Sequence, residues 1–181
     1  MRTFIALEIP ELIKKEIGQI QKQLSRLDLS FRFVKPENCH LTLAFLGSIA
    51  PAQTITSAKI VNQINCHAKP IKLSLGELKA FPNFNRPRVI FISLAGETDK
   101  LKDLADQVRR ELKKESLWFD EKPFTPHLTL GRVKTRPASA LFLAKARVKP
   151  LSFSAEKVTL FQSQLTTSGP TYTKIVSKMI K

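Results

Sequence analysis

A nine-residue segment occurs twice in this chain. Lys35-Pro36-Glu37-Asn38-Cys39-His40-Leu41-Thr42-Leu43 matches Lys122-Pro123-Phe124-Thr125-Pro126-His127-Leu128-Thr129-Leu130 at six positions: Lys, Pro, His, Leu, Thr and Leu. The copies stand 127 − 40 = 87 residues apart, nearly half of the 181-residue chain. A period of that length predicts two related lobes that face each other across a pseudo-twofold axis, with one copy in each.

The surrounding pattern alternates between strand and helix periods. Strands are expected over Phe4–Leu7, Phe31–Val34, His40–Leu46, Ile71–Leu78, Arg88–Leu94, His127–Val133, Leu151–Phe161 and Thr171–Met179. Pro10 is expected to open a helix with Leu12, Ile13, Ile17, Ile20 and Leu24 on one face. A second helix is expected from Pro51 to Cys66 with Ile55, Ala58, Val61 and Ile64 inward. Thr98 is expected to cap a third, which carries Leu101, Leu104, Ala105, Val108 and Leu112. A short helix is expected over Pro137–Lys145. No low-complexity linker divides the chain. Residues 1–181 therefore read as one bilobal α+β unit, each lobe an antiparallel sheet flanked by helices, with a cleft between them.

Residues i and i+2 of a strand share a face. His40 and Thr42 therefore point one way and Leu41 and Leu43 the other, and the same holds for His127 and Thr129 against Leu128 and Leu130. Two facing lobes would bring two imidazoles and two hydroxyls into one cleft. That set suits in-line displacement at phosphorus, which needs a base at the entering oxygen and an acid at the departing one. Histidine, with an ordinary pKa of about 6.5, serves as either near neutrality. Threonine hydroxyls can donate to the non-bridging oxygens.

Charge agrees with a phosphorylated partner. Lys and Arg number 30 against 15 Asp and Glu, a formal charge of +15. From Lys122 to Lys181 there are eleven basic residues and one acidic one, Glu156. Such asymmetry points to a polyanion, with nucleic acid the leading candidate beside the plainer reading of a solvated basic surface. Arg86 and Arg88 read either as contacts to a nucleic-acid backbone or, more commonly for basic residues that flank a strand, as solvated side chains, and Phe81 and Phe84 as base-stacking rings or, more commonly, as rings that close a core edge.

Other chemistries find little support. His67 has no Thr partner and reads as a surface or capping residue. Cys39 precedes His40, but strand neighbours face opposite ways, which argues against a Cys–His nucleophile. No Cys-x-x-Cys or His-x₃₋₅-His spacing exists for zinc, and there is no phosphate-binding glycine motif for ATP or NAD. Neither metal nor cofactor is expected. Glu8 interrupts the first apolar run, and no run approaches a membrane span, so a cytoplasmic protein without membrane association is expected.

The residues resemble the two-histidine phosphoesterases, specifically the RNA 2′,3′-cyclic phosphodiesterases, also called 2′-5′ RNA ligases. The likeness includes Arg2-Thr3-Phe4-Ile5-Ala6-Leu7, His40-Leu41-Thr42-Leu43-Ala44-Phe45-Leu46-Gly47, Phe81-Pro82, Arg86-Pro87-Arg88-Val89, His127-Leu128-Thr129-Leu130-Gly131-Arg132 and Ser168-Gly169-Pro170-Thr171-Tyr172. It implies metal-free hydrolysis of a terminal 2′,3′-cyclic phosphate to a 2′-phosphate, on RNA ends that include tRNA fragments, by a monomer. It further implies that His40 is the proton donor to the departing 3′ oxygen, that His127 is the proton acceptor from water, that Phe45 stacks on the terminal base and that Arg132 lies near the phosphate. Phe33 stands where the group usually has Trp, and Ala44 where a polar or basic residue is common. Ligation in reverse, another cyclic phosphodiester, and an RNA-binding module without turnover are the alternatives.

Overall fold

The structure is a computed structural model and describes residues 1–27, 31–65, 69–134, 147–167 and 169–180. Its elements are β1 (Arg2–Glu8), α1 (Glu11–Leu27), β2 (Phe31–Phe33), a single 3-10 turn (Pro36–Asn38), β3 (His40–Ser48), α2 (Pro51–Gln63), β4 (Ile71–Phe81), β5 (Val89–Gly96), α3 (Thr98–Lys114), β6 (His127–Val133), β7 (Ser152–Ala155), β8 (Lys157–Thr166) and β9 (Gly169–Met179). The helix expected over Pro137–Lys145, together with Cys66 and His67, lies outside the described residues. Among the described residues no helix is long and apolar enough to cross a membrane.

The strands form two antiparallel sheets, ordered β3-β1-β8-β9 and β2-β6-β5-β4-β7. The repeat reaches far beyond nine residues. Shifting α1, Glu11–Leu27, by 87 gives residues 98–114, the bounds of α3. The same shift carries β1 onto β5 and the His40 strand onto the His127 strand, and each pair is antiparallel. The lobes nevertheless share strands. β2 from the first half completes the second sheet, and β8 and β9 from the second half complete the first.

One expected strand divides. Leu151–Phe161 is two strands, because the chain changes sheets at Glu156. β7 pairs with β4, while β8 pairs with β1 and β9. The apolar alternation slips by one residue at the crossing: β7 buries Phe153 and Ala155, whereas β8 buries Val158, Thr159, Leu160 and Phe161 in succession.

Two of the three helices depart from the expected stripe. In α1, Ile13, Ile17, Ile20 and Leu24 are buried, but Leu12 is 60% exposed. In α2, Ile55 is 61% exposed, while Thr54 and Ser57 face inward with Val61. Their hydroxyls donate to the carbonyls of Ala50 and Gln53 one turn back, at 3.1 and 2.8 Å, so both can be buried without an unpaired polar group. In α3 the five expected residues are all buried, and Thr98 is the first helical residue rather than the cap.

Two long side chains tie the lobes. Gln21 of α1 donates to Leu130 O of β6 at 2.9 Å, and Arg109 of α3 donates through Nε to Leu43 O of β3 at 3.2 Å. Leu43 and Leu130 are repeat equivalents, so each helix grips the same carbonyl of a histidine strand.

Candidate active site

His40 opens β3 and His127 opens β6. Both histidines and both threonines are half-buried, while Leu41, Leu43, Leu128 and Leu130 are buried in the common core. Strand alternation thus separates anchors from reactive groups. The strands approach each other at their starts, where the Cys39 thiol lies 3.8 Å from the Thr129 carbonyl oxygen. Burial pushes that thiol up to about 12, so Cys39 stays protonated and is no nucleophile.

Each imidazole is held in the same way. Nδ1 of His40 donates to Asn38 O at 2.7 Å, and Nδ1 of His127 donates to Thr125 O at 2.6 Å. A carbonyl oxygen can only accept, so Nδ1 carries the proton in both neutral rings. Nε2 is then the nitrogen that gains and loses one. Asn38 is itself fixed, its Nδ2 donating to Pro170 O of β9 at 2.7 Å.

Aromatic rings complete the seats. Phe4 stacks on His40 at 4.5 Å and on Phe161 at 5.1 Å, with the Tyr172 ring edge-on to His40 at 5.3 Å. On the other side Phe91 and Phe81 each meet His127 edge-on at 5.3 Å and stack on each other at 4.1 Å. Phe4 and Phe91 are repeat equivalents, 87 residues apart. Sequence reasoning gave no role to Phe4, Phe91, Phe161 or Tyr172, although applying the offset to Phe4 would have found Phe91.

These seats disfavour charge. Burial pulls His40 down to about 4, and the nearby His127 pushes the same way, against the Asn38 hydrogen bond. Burial also lowers His127, with Arg132 adding to the effect against its own carbonyl bond. Both rings therefore favour the neutral form.

A cleft of about 1180 Å³ lies beside them. Of the six candidate residues, Thr42, Phe45, His127 and Arg132 line it, whereas His40 and Thr129 stand outside that lining. Its two walls differ. β3 supplies Thr42, Leu43, Ala44 and Phe45 and no charge, with the Arg2 guanidinium 5.0 Å from the centre of the Phe45 ring. The second half of the chain supplies Arg109, Lys122, Arg132 and Lys134, and Arg86 and Arg88 join them, against one acid, Asp120, which pairs with Lys122 at 2.9 Å. Arg86 and Arg88 thus face the cleft. Phe81 lines it as well, while Phe84 packs on the core. Phe33 lies against Gly131, where a Cβ would come within 3.1 Å of its ring, and Ala44 is buried. Among the described residues, no three His, Cys, Asp or Glu side chains are grouped to hold a metal ion.

The chain resembles known proteins along most of its length. The LigT like Phosphoesterase family matches twice, over residues 7–91 and 92–172. An RNA 2′,3′-cyclic phosphodiesterase of Aquifex aeolicus is 33% identical over 172 residues, 93% of this chain and 87% of that protein. One of Archaeoglobus fulgidus is 34% identical over 175 residues, covering 95% and 96%. Among solved structures, a Thermus thermophilus protein superposes with a TM-score of 0.83 at 27% identity, over 99% of this chain and 98% of that one. E. coli LigT in complex with 3′-AMP gives 0.77 at 23% identity, over 99% and 97%, a likeness of fold.

Proposed function

Because the chain belongs to the LigT-like phosphoesterase family, we propose that it opens the 2′,3′-cyclic phosphate at the end of an RNA to a 2′-phosphate, as its curated relatives are named for acting on such phosphodiesters. The observation that carries the mechanism is the matched pair of Nδ1–carbonyl hydrogen bonds, which leaves two equivalent Nε2 atoms for proton transfer.

In this reading His127 Nε2 accepts a proton from water as the water oxygen bonds to phosphorus. The P–O3′ bond breaks on the opposite side, and His40 Nε2 gives its proton to the departing 3′ oxygen. The hydroxyls of Thr42 and Thr129 donate to the non-bridging oxygens, where charge accumulates. Phe45 stacks on the terminal base, and Arg132 lies beside the phosphate. Burial holds His40 in its neutral form, so it must gain its proton with the substrate. The anionic phosphodiester supplies the opposite charge that favours the imidazolium. Acid, base and charge stabilisation all come from side chains, and no step calls for a metal.

The test is an RNA oligonucleotide ending in a 2′,3′-cyclic phosphate, incubated with excess EDTA. The expected product ends in a 2′-phosphate. A 3′-phosphate product would reverse the assignment of the departing oxygen. Activity lost in EDTA and restored by a divalent ion would refute the metal-free path.

A further inference from the structure

Trp118 is the only tryptophan in the chain, and 63% of its surface is exposed. It is not a loose side chain. Its neighbours Leu117 and Phe119 are buried at 6% and 8% exposure, so the backbone on both sides is pinned to the core.

The end of α3 sets this direction. Leu117 N–H donates to Leu112 O at 2.9 Å and Ser116 N–H to Lys113 O at 3.0 Å, the paired bonds that close a helix with a left-handed residue. That residue is Ser116, with φ of 53°. The turn drives Leu117 inward and leaves Trp118 outward.

The indole rests on β3 beside the cleft. A Cβ on Gly47 would lie 3.2 Å from Trp118 Cζ3 and 3.9 Å from Phe45 Cε1, so the two rings flank one point, and the left-handed φ of 69° there favours glycine. Asp120 N–H donates to Phe45 O at 2.9 Å and fastens the Trp118 segment to the same strand. Phe45 lines the cleft, and Trp118 lies outside that lining, separated from Phe45 by Gly47.

We propose that Trp118 is a stacking platform for the nucleotide 5′ to the cyclic-phosphate end, which makes the preferred substrate an RNA strand rather than a mononucleotide. The inference rests on the phosphodiesterase reading above. Two bases of one strand would stack in turn on Phe45 and Trp118, while their phosphates face the cationic wall of Arg86, Arg88 and Arg132. An aromatic ring accepts any base, so the platform sets length preference rather than sequence preference. Because the backbone on both sides of Trp118 is already pinned, little main-chain ordering is needed on binding.

The single tryptophan reports on itself. The chain is titrated with a trinucleotide ending in a 2′-phosphate and, separately, with a 2′-mononucleotide, following indole emission. Quenching by the trinucleotide alone is expected, and no quenching at saturation overturns the proposal. In a second arm, kcat/KM is measured for a trinucleotide and a mononucleotide 2′,3′-cyclic phosphate. Trp118→Ala should lower the trinucleotide-to-mononucleotide ratio about 10-fold, chiefly through KM, and Trp118→Phe should largely restore it. An unchanged ratio overturns the platform. If the wild-type chain opens neither substrate, the phosphodiesterase reading fails, while the titration still decides whether a strand stacks on Trp118.

Discussion

The backbone carbonyl of Asn38 holds His40 Nδ1 at 2.7 Å, and the side chain of the same residue is anchored to Pro170 of β9. Asn38 thereby links the first histidine to a strand from the far end of the chain. Asn38→Ala keeps the carbonyl and loses the anchor. It should lower kcat about 10-fold with little change in KM, because a small displacement of a proton-transfer group slows the chemical step. Steady-state kinetics on a cyclic-phosphate oligonucleotide checks this, and an effect confined to KM would contradict it.

The histidines should fail together. His40→Ala and His127→Ala should each lower kcat by about 10²–10⁴, the range for one acid–base group. The double variant should lose less than the product of the two, since either change already breaks a concerted path. A substrate with an activated leaving group departs without protonation, so it should rescue His40→Ala and not His127→Ala. The opposite rescue would exchange their roles.

Acid should destabilise the fold before the carboxylates titrate. His40 sits at about 4 in the folded chain, against about 6.5 unfolded. Above 6.5 both states are neutral and nothing is lost. As pH falls, the unfolded chain takes up a proton that the folded chain refuses, so stability declines down to about 4. The total is about 3 kcal/mol for this one group. Urea unfolding between pH 7 and pH 5 should show the slope, and His40→Gln should reduce it to the part that His127 contributes.

Ser116 occupies a left-handed conformation at the end of α3, where glycine carries no Cβ penalty. Ser116→Gly should raise unfolding stability by about 0.5–1 kcal/mol, read from the urea midpoint at constant slope. A lower midpoint would mean that the serine side chain contributes more than its backbone costs.

The two His-x-Thr strands were legible because alternation and duplication are written in the sequence itself. Six shared residues in nine announced the lobes, and the leucines between the reactive groups announced the buried face. The sheet change at Glu156 was missed although the apolar alternation slips there from odd to even positions, because hydrophobic pattern does not say which neighbour a strand pairs with. The inward Thr54 and Ser57 were missed for another reason. Their hydroxyls are satisfied by their own helix, so polarity was a poor guide to exposure. The aromatic seats of the histidines depend on rings from β1, β4, β5, β8 and β9 meeting in space. Only the pair at the 87-residue offset, Phe4 and Phe91, left a trace in one dimension.

The exchange of strands between the halves has a consequence for how activity can be lost. β1 lies between β3 from its own half and β8 from the other, so a fragment lacking the C-terminal strands would expose the edge of β1 and the apolar residues behind it. Such an edge invites pairing with another chain. Duplication did not leave two separable pieces that could each retain one histidine in working order. Assembly of the histidine pair is therefore tied to closure of both sheets, and a nick or truncation that frees β8 and β9 should leave aggregate rather than a half-active enzyme.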